Sequence, residues 1–266
     1  MDIPTITRSI STLLVGMVRA PDLIVSTEVT SISMDSRGVN KGALFIATAN
    51  DAKHRTLHLS EAIEKGAKVI LFDQLLPLSE KEIDCIALAK VQAIQVIDLS
   101  EKVSEIAARF FGHPSLALTI IAVTGTNGKT SVSHFIAQCL ESSGHACGLI
   151  GTLGIGYLRG LTDSGLTTPS PVSIQANLAK FCHQRTIYVV IEASSHALEQ
   201  GRLNSVAIDV AVLTNVSRDH LDYHENMEAY QEAKKSLFYL DSLKTVVINM
   251  DDEFGVSLID DLTSRK

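Results

Sequence analysis

The stretch running from Leu118 through Val123, Gly125, Gly128, Lys129 and Thr130 to Ser131 constrains the fold more than any other. It opens with an apolar, β-branched run long enough for a buried strand, turns through glycines, and continues as a helix to about Ser143. Strand, glycine loop, Lys-Thr and helix form the arrangement that cradles nucleotide phosphates. Small residues let backbone N–H groups approach the phosphates, and the helix N-terminus adds positive potential. Lys129 then reaches the terminal phosphates, and Thr130 can ligate Mg²⁺. The strict phosphate-loop pattern wants glycine where Val123 stands, so this loop is a shortened variant. The competing reading is a glycine turn before an ordinary helix.

At 266 residues, 45% of them hydrophobic, the chain has the length of two modest domains with real cores. A net charge of −7 without basic runs argues against a nucleic-acid surface. No apolar run approaches the length of a membrane span, and the segment from Met1 to Pro4 lacks the charged and apolar regions of a secretory signal. Cys85, Cys139, Cys147 and Cys182 form no CxxC pair and read as buried, reduced thiols of a cytoplasmic protein.

Residues 1 to 113 read as a small α/β unit. Strands are expected at Thr30–Met34, Ala43–Ile46, Lys68–Phe72 and Ala93–Ile97, and helices at His58–Lys65 and Ser100–Phe111. Asp35-Ser36-Arg37 follows the first strand, as either a phosphate-binding cluster or a polar turn with an internal ion pair. Turn chemistry at Gly112 to Ser115 makes the linker. From 114 to 266 strands and helices alternate, which predicts a mostly parallel sheet with helices on both faces. Strands are expected at Leu118–Val123, Cys147–Thr152, Ile187–Glu192, Val210–Thr214 and Thr245–Asn249. The helices between them are expected at Thr130–Ser143, Val172–Gln184 and Met227–Leu240.

Ligands gather at the carboxyl ends of such strands. Glu192, ending an apolar strand, is placed there as a Mg²⁺ ligand or as an acid capping the next helix. His220 and His224 stand four apart, but Leu221 occupies the place of the glutamate that a zinc-protease motif needs. Lys234 and Lys235 share a helix with Glu228 and Glu232 and read, taken alone, as solvated lysines. Thr167-Thr168-Pro169 is a substrate-binding turn or a helix start. Asn249 opens a polar cluster where a nucleotide base would lie.

Four segments together resemble the Mur ligase family, the ATP-dependent amide-forming enzymes of peptidoglycan synthesis. They are Thr124 to Thr130, Glu192 to His196, Thr214 to His224, and Asn249 to Asp252, in the family's order and spacing. The front segment, with Asp35-Ser36-Arg37 and Gly42 to Phe45, is most similar to the branch that adds the third residue to UDP-MurNAc-L-Ala-D-Glu. The resemblance implies a phosphate-loop central domain behind a UDP-MurNAc-binding front domain. It also implies ligation through an acyl phosphate, with ATP, a UDP-MurNAc-dipeptide and an amino acid as small-molecule partners, in a cytoplasmic monomer.

By the same resemblance, Gly125, Thr126, Asn127, Gly128, Lys129, Thr130 and Ser131 wrap the ATP phosphates, and Asn249 lies near the adenine. Thr130, Glu192 and His220 surround Mg²⁺. Lys234 matches a lysine that the family carbamylates with CO₂, giving an anion able to bridge a second Mg²⁺. Lys129, Lys234 and His220 are thus the implied catalytic set. Ser36 contacts the uridine nucleotide, and Thr167, Thr168, Ser194, Gln200 and Arg202 hold the muramoyl-dipeptide. The segment Ala49 to Arg55 stands where members often carry a glycine- and amide-rich loop, and Leu166 where some place Asn. The family has a third domain that selects the amino acid, and the sequence stops at Lys266, so a truncated, poorly active form is expected. Other readings are a non-catalytic ligand-binding paralogue and a related amide ligase such as folylpolyglutamate synthase.

Overall fold

The computed structural model describes residues 6–18, 27–48 and 52–264, without side chains at 52 and 53. Contacts divide the chain into two compact units. One runs to His113 and includes Ser170–Val172; the other comprises Pro114–Pro169 and the chain from Ser173 onward.

The front unit contains β1 (Arg8–Ser9), α1 (Ile10–Leu13), β2 (Glu28–Val29), β3 (Ser31–Ser33), β4 (Ala43–Ala47), α2 (Ala52–Glu64), β5 (Val69–Asp73), α3 (Glu80–Ala89), β6 (Gln92–Val96) and α4 (Leu99–Phe111). Strands β3 to β6 lie side by side in sequence order, all parallel. Continuous apolar runs suit strands covered on both faces. Leu44 and Ile46 accordingly enter one core cluster, and Ala43 and Phe45 the other. α3 falls outside the sequence expectation because its apolar residues are sparse. It is started by a capping box in which Ser79 and Glu82 satisfy each other's backbone N–H. Of the atypical segment Ala49 to Arg55, residues 49–51 lie outside the described residues.

The central unit contains β7 (Thr119–Thr124), α5 (Lys129–Ser142), β8 (Cys147–Gly151), β9 (Gly154–Gly156), α6 (Pro171–His183), β10 (Tyr188–Glu192), α7 (Ser195–Glu199), β11 (Val210–Leu213), α8 (Met227–Lys235), β12 (Thr245–Ile248) and α9 (Glu253–Ser264). The six-stranded order is β12-β11-β7-β10-β8-β9, parallel except for β9. Ile120 and Ala122 pack with Ile174, Leu178 and Phe181 of α6 on one face, whereas Val123, Leu149 and Val190 meet Ala137 of α5 on the other. Both faces are therefore clad in helix, as expected. The segment expected as one helix to Leu240 is α8 followed by a separate 3₁₀ turn, Ser236–Tyr239.

Chain order reverses at β7, which pairs with β10 on one side and β11 on the other. That switch point is where an open α/β sheet leaves a crevice at its carboxyl edge. The cysteines depart from expectation: only Cys147 is buried, Cys85 and Cys182 are half-buried, and Cys139 is exposed on α5. All four are free. Cys147 is inert in its apolar setting, since burial pushes its thiol up to about 12. Among the described residues, no helix is long and apolar enough to cross a membrane.

Candidate nucleotide and substrate site

The loop leaving β7 is held by the segment leaving β11. Thr126 N–H donates to the Asn215 carbonyl at 2.7 Å, and Asn127 N–H to the Asn215 side-chain oxygen at 3.1 Å. Thr214 Oγ1 donates to the Asn127 carbonyl at 2.7 Å. Gly125, at φ +145°, passes so close that a Cβ there would lie 1.9 Å from Thr214 Oγ1. Only glycine fits this turn. Gly128, also at positive φ, caps α5, whose first turn presents Lys129, Thr130 and an exposed Ser131. An anion meets backbone donors and the positive end of a helix here.

A buried lysine, Lys234, and a half-buried one, Lys129, converge on this loop. Lys129 Nζ donates to the carbonyls of Gly125 at 3.0 Å and Thr126 at 2.9 Å, and Lys234 Nζ donates to the same Gly125 carbonyl at 2.9 Å. Lys234 also sits 4.4 Å from the centre of the Tyr230 ring, whose hydroxyl is 3.0 Å from Thr126 Oγ1. Burial, and then the neighbouring Lys129 charge, bring Lys234 down to about 7; burial likewise lowers Lys129. Sequence reading of Lys234 as a solvated helix lysine is thereby corrected, because it is 1% exposed. Tyr230 went unnoticed, although its spacing of four from Lys234 puts both on one face of α8.

Glu192, at the end of β10, is buried and accepts from Thr130 Oγ1 at 2.9 Å, Thr152 Oγ1 at 2.9 Å and Thr152 N–H at 3.1 Å. Its side chain lies over Gly151, where a Cβ would collide with it. This arrangement brings Thr130 and Glu192 together beside the phosphate loop. His220 bonds to neither: it is exposed, at φ +51°, with Nε2 3.7 Å from Asp219 and its ring 5.1 Å from that of His196. Among the described residues, no three or more His, Cys, Asp or Glu side chains are disposed to hold a metal ion. A hydroxyl and one carboxylate do fit Mg²⁺ arriving on nucleotide phosphates, which needs few protein ligands. A zinc site at His220 and His224 does not fit, because His224 is buried between Ser195 Oγ at 2.9 Å and Glu199 at 3.3 Å.

Next to Glu192 lies a second polar network. Thr152 Oγ1 is 3.0 Å from Thr167 Oγ1, and Thr168 Oγ1 donates to the Glu192 carbonyl at 2.6 Å and lies 3.1 Å from Ser194 Oγ. Ser194 caps α7 through the Ala197 N–H. Arg202 donates to the Thr168 carbonyl at 2.6 Å and grips the Gln200 amide oxygen with Nε and NH2. Thr167, Thr168, Ser194, Gln200 and Arg202 thus form one continuous cluster. Asn249 follows β12 and donates to the Thr214 carbonyl at 2.8 Å, joining the phosphate-loop wall.

In the front unit, Arg37 makes a two-pronged pair with Asp35 on an exposed turn. Ser36 is buried and donates to Glu61 at 2.6 Å. Locally this is the polar turn with an internal ion pair.

Fold and site together define an α/β protein with a phosphate-loop-type strand, glycine turn and helix at the switch point of its parallel sheet. Residues 123–266 match the family model of the Mur ligase middle domain, and residues 28–111 that of the Mur ligase family catalytic domain. The chain belongs to the Mur ligase family. It is 43% identical over 237 residues to the UDP-N-acetylmuramoyl-L-alanyl-D-glutamate–2,6-diaminopimelate ligase of Pseudomonas putida, covering 89% of the chain and 47% of that relative. Its likeness to the Xylella fastidiosa ligase of the same name is 40% over 252 residues, covering 95% and 49%. A solved structure of a ligase with this name superposes with a TM-score of 0.79 at 33% identity, over 97% of the chain and 50% of that structure. The UDP-N-acetylmuramoylalanyl-D-glutamyl-2,6-diaminopimelate–D-alanyl-D-alanyl ligase of Acinetobacter baumannii, 17% identical with a TM-score of 0.64 over 99% of the chain and 53% of that structure, shares the fold. The chain spans about half the length of the curated relatives it matches.

Proposed function

We propose that this chain supplies the UDP-substrate and ATP-phosphate sites of an ATP-dependent ligase that adds 2,6-diaminopimelate to UDP-MurNAc-L-Ala-D-Glu. The observation that carries the reading is the meeting of Lys129 and Lys234 on the Gly125 carbonyl. Lys129, at the start of α5, has only loop carbonyls as partners, and a polyphosphate is the ligand that supplies the opposite charge. The relatives' names supply the amino acid.

The chemistry follows from the substrate. A carboxylate resists attack by an amine until it carries a leaving group. In the reaction we assign, a D-Glu carboxylate oxygen attacks the γ-phosphorus of ATP, ADP departs, and an acyl phosphate forms. The amine attacks the acyl carbon, and the tetrahedral intermediate expels phosphate. Lys129 and the loop N–H groups hold the phosphates in line and neutralise the crowded oxyanions. Mg²⁺, when held by Thr130 and Glu192, supplies further charge neutralisation, with His220 as the implied third ligand.

Lys234 is assigned as the carbamylated lysine. Only a neutral amine attacks CO₂, and a lysine near 7 is substantially neutral at physiological pH. Its nitrogen bonds to the carbon and releases a proton, which turns the cation into an anion. Asn249 is placed near the adenine, Ser36 near the uridine, and the Thr167 to Arg202 cluster against the muramoyl-dipeptide. We assign the front unit, 1–113, to UDP-MurNAc, the unit from 114 to ATP, and a monomeric, cytoplasmic state to the protein.

The test is calorimetric titration of the chain with UDP-MurNAc-L-Ala-D-Glu. Saturable binding is expected, weakened roughly 10- to 100-fold by Arg202→Ala, the worth of a charged hydrogen-bonding group. Absence of binding while Mg²⁺-ATP still binds would overturn the substrate assignment. Binding of a folate in its place would favour a folylpolyglutamate synthase.

A further inference from the structure

Resting on that reading, we propose that Tyr223 is an additional ligand-binding residue, donating its phenolic hydrogen to an anionic oxygen of the UDP-linked substrate. The direction of the hydrogen bonds leads there. Arginine carries only donors, so the Gln200 side-chain oxygen must face Arg202, which it does at 3.0 and 2.6 Å. The Gln200 amide nitrogen is then turned toward Tyr223 and donates to its hydroxyl oxygen at 2.9 Å. That oxygen is an acceptor within the network, and its own O–H meets no acceptor among the described residues.

The relay therefore begins at a guanidinium and ends in an outward donor, each bond polarising the next. A group of that polarity takes a carboxylate or phosphate oxygen. The ring is also placed to receive a ligand: it is 42% exposed, backed by the His196 ring at 3.9 Å and by His224 edge-on at 5.0 Å. Because stacking holds the ring, loss of the hydroxyl leaves its position intact.

Calorimetry of Tyr223→Phe against wild type, with three ligands, tests the assignment. UDP-MurNAc-L-Ala-D-Glu is expected to bind about tenfold more weakly to the variant, the effect of one hydrogen bond to a charged acceptor. A loss confined to that ligand places the acceptor on the dipeptide carboxylates. A loss shared by UDP-MurNAc places it on the diphosphate. Mg²⁺-ATP is expected to bind both proteins equally. Unchanged affinity for the UDP ligands, or an equal loss of Mg²⁺-ATP binding, overturns the inference. If wild type binds neither UDP ligand, the substrate assignment itself has failed, and the Tyr223 assignment with it.

Discussion

Arg55 and Lys234 are both long cations with almost no exposed surface, and the molecule treats them in opposite ways. Arg55, in the front unit, pairs with buried Glu82 at 2.8 Å and caps the Leu76 and Pro77 carbonyls at 2.7 and 2.9 Å. Burial alone would raise the Glu82 carboxyl. Hydrogen bonds from Arg55, the Ser79 N–H and the Ser79 hydroxyl outweigh it and hold Glu82 at about 2. Lys234 has one carbonyl and one ring face, with Lys129 as an added repulsion. A matched buried charge is scaffold, whereas a mismatched one is held in reserve for a ligand.

Breaking the matched pair should have the largest effect on stability. Arg55→Met leaves Glu82 buried without its counter-charge, and we expect a loss of about 3–5 kcal/mol in denaturant unfolding. A variant as stable as wild type would place that pair among the dispensable contacts. In acid the pair is lost through Glu82. Its stabilising contribution is complete above the unfolded value near 4.5 and fades as pH falls through about 2.

Lys234 should behave differently. Its folded value is depressed, so below about 7 the folded state carries the full penalty of a buried cation. Between about 7 and the ordinary 10.5 the unfolded chain holds the extra proton, and stability rises with pH. In CO₂-free buffer, wild type should gain roughly 2 kcal/mol relative to Lys234→Met between about pH 7 and 9. Parallel stability profiles for the two proteins would refute the depressed lysine.

The smallest effect sharpens the contrast. Lys129→Gln removes the repulsion, so the Lys234 titration followed by NMR of labelled lysine should move upward. It should stay below the ordinary lysine range, because burial is the larger cause.

Much of this site was legible in the sequence. The β7–loop–α5 unit is a local signal, since backbone N–H groups around a phosphate need glycines and a helix start in one short stretch. Glu192 was placed correctly beside Thr130 because strands of a parallel sheet end together. Other features had no local signature. Glu82 carries no local signal of burial, and Cys139 reads as a buried thiol; packing puts the acid inside and the thiol outside. α7 and β9 are too short for periodicity to register.

The sequence by itself determined two α/β units, the phosphate loop and the strand-end carboxylate, because each depends on neighbours along the chain. Only the tertiary structure decided that Lys234 is buried, that it shares a carbonyl with Lys129, and that Arg202, Gln200 and Tyr223 form a directed relay. Burial, charge repulsion and hydrogen-bond polarity are set by groups distant along the chain, and the sequence pattern around any one of them does not contain that information.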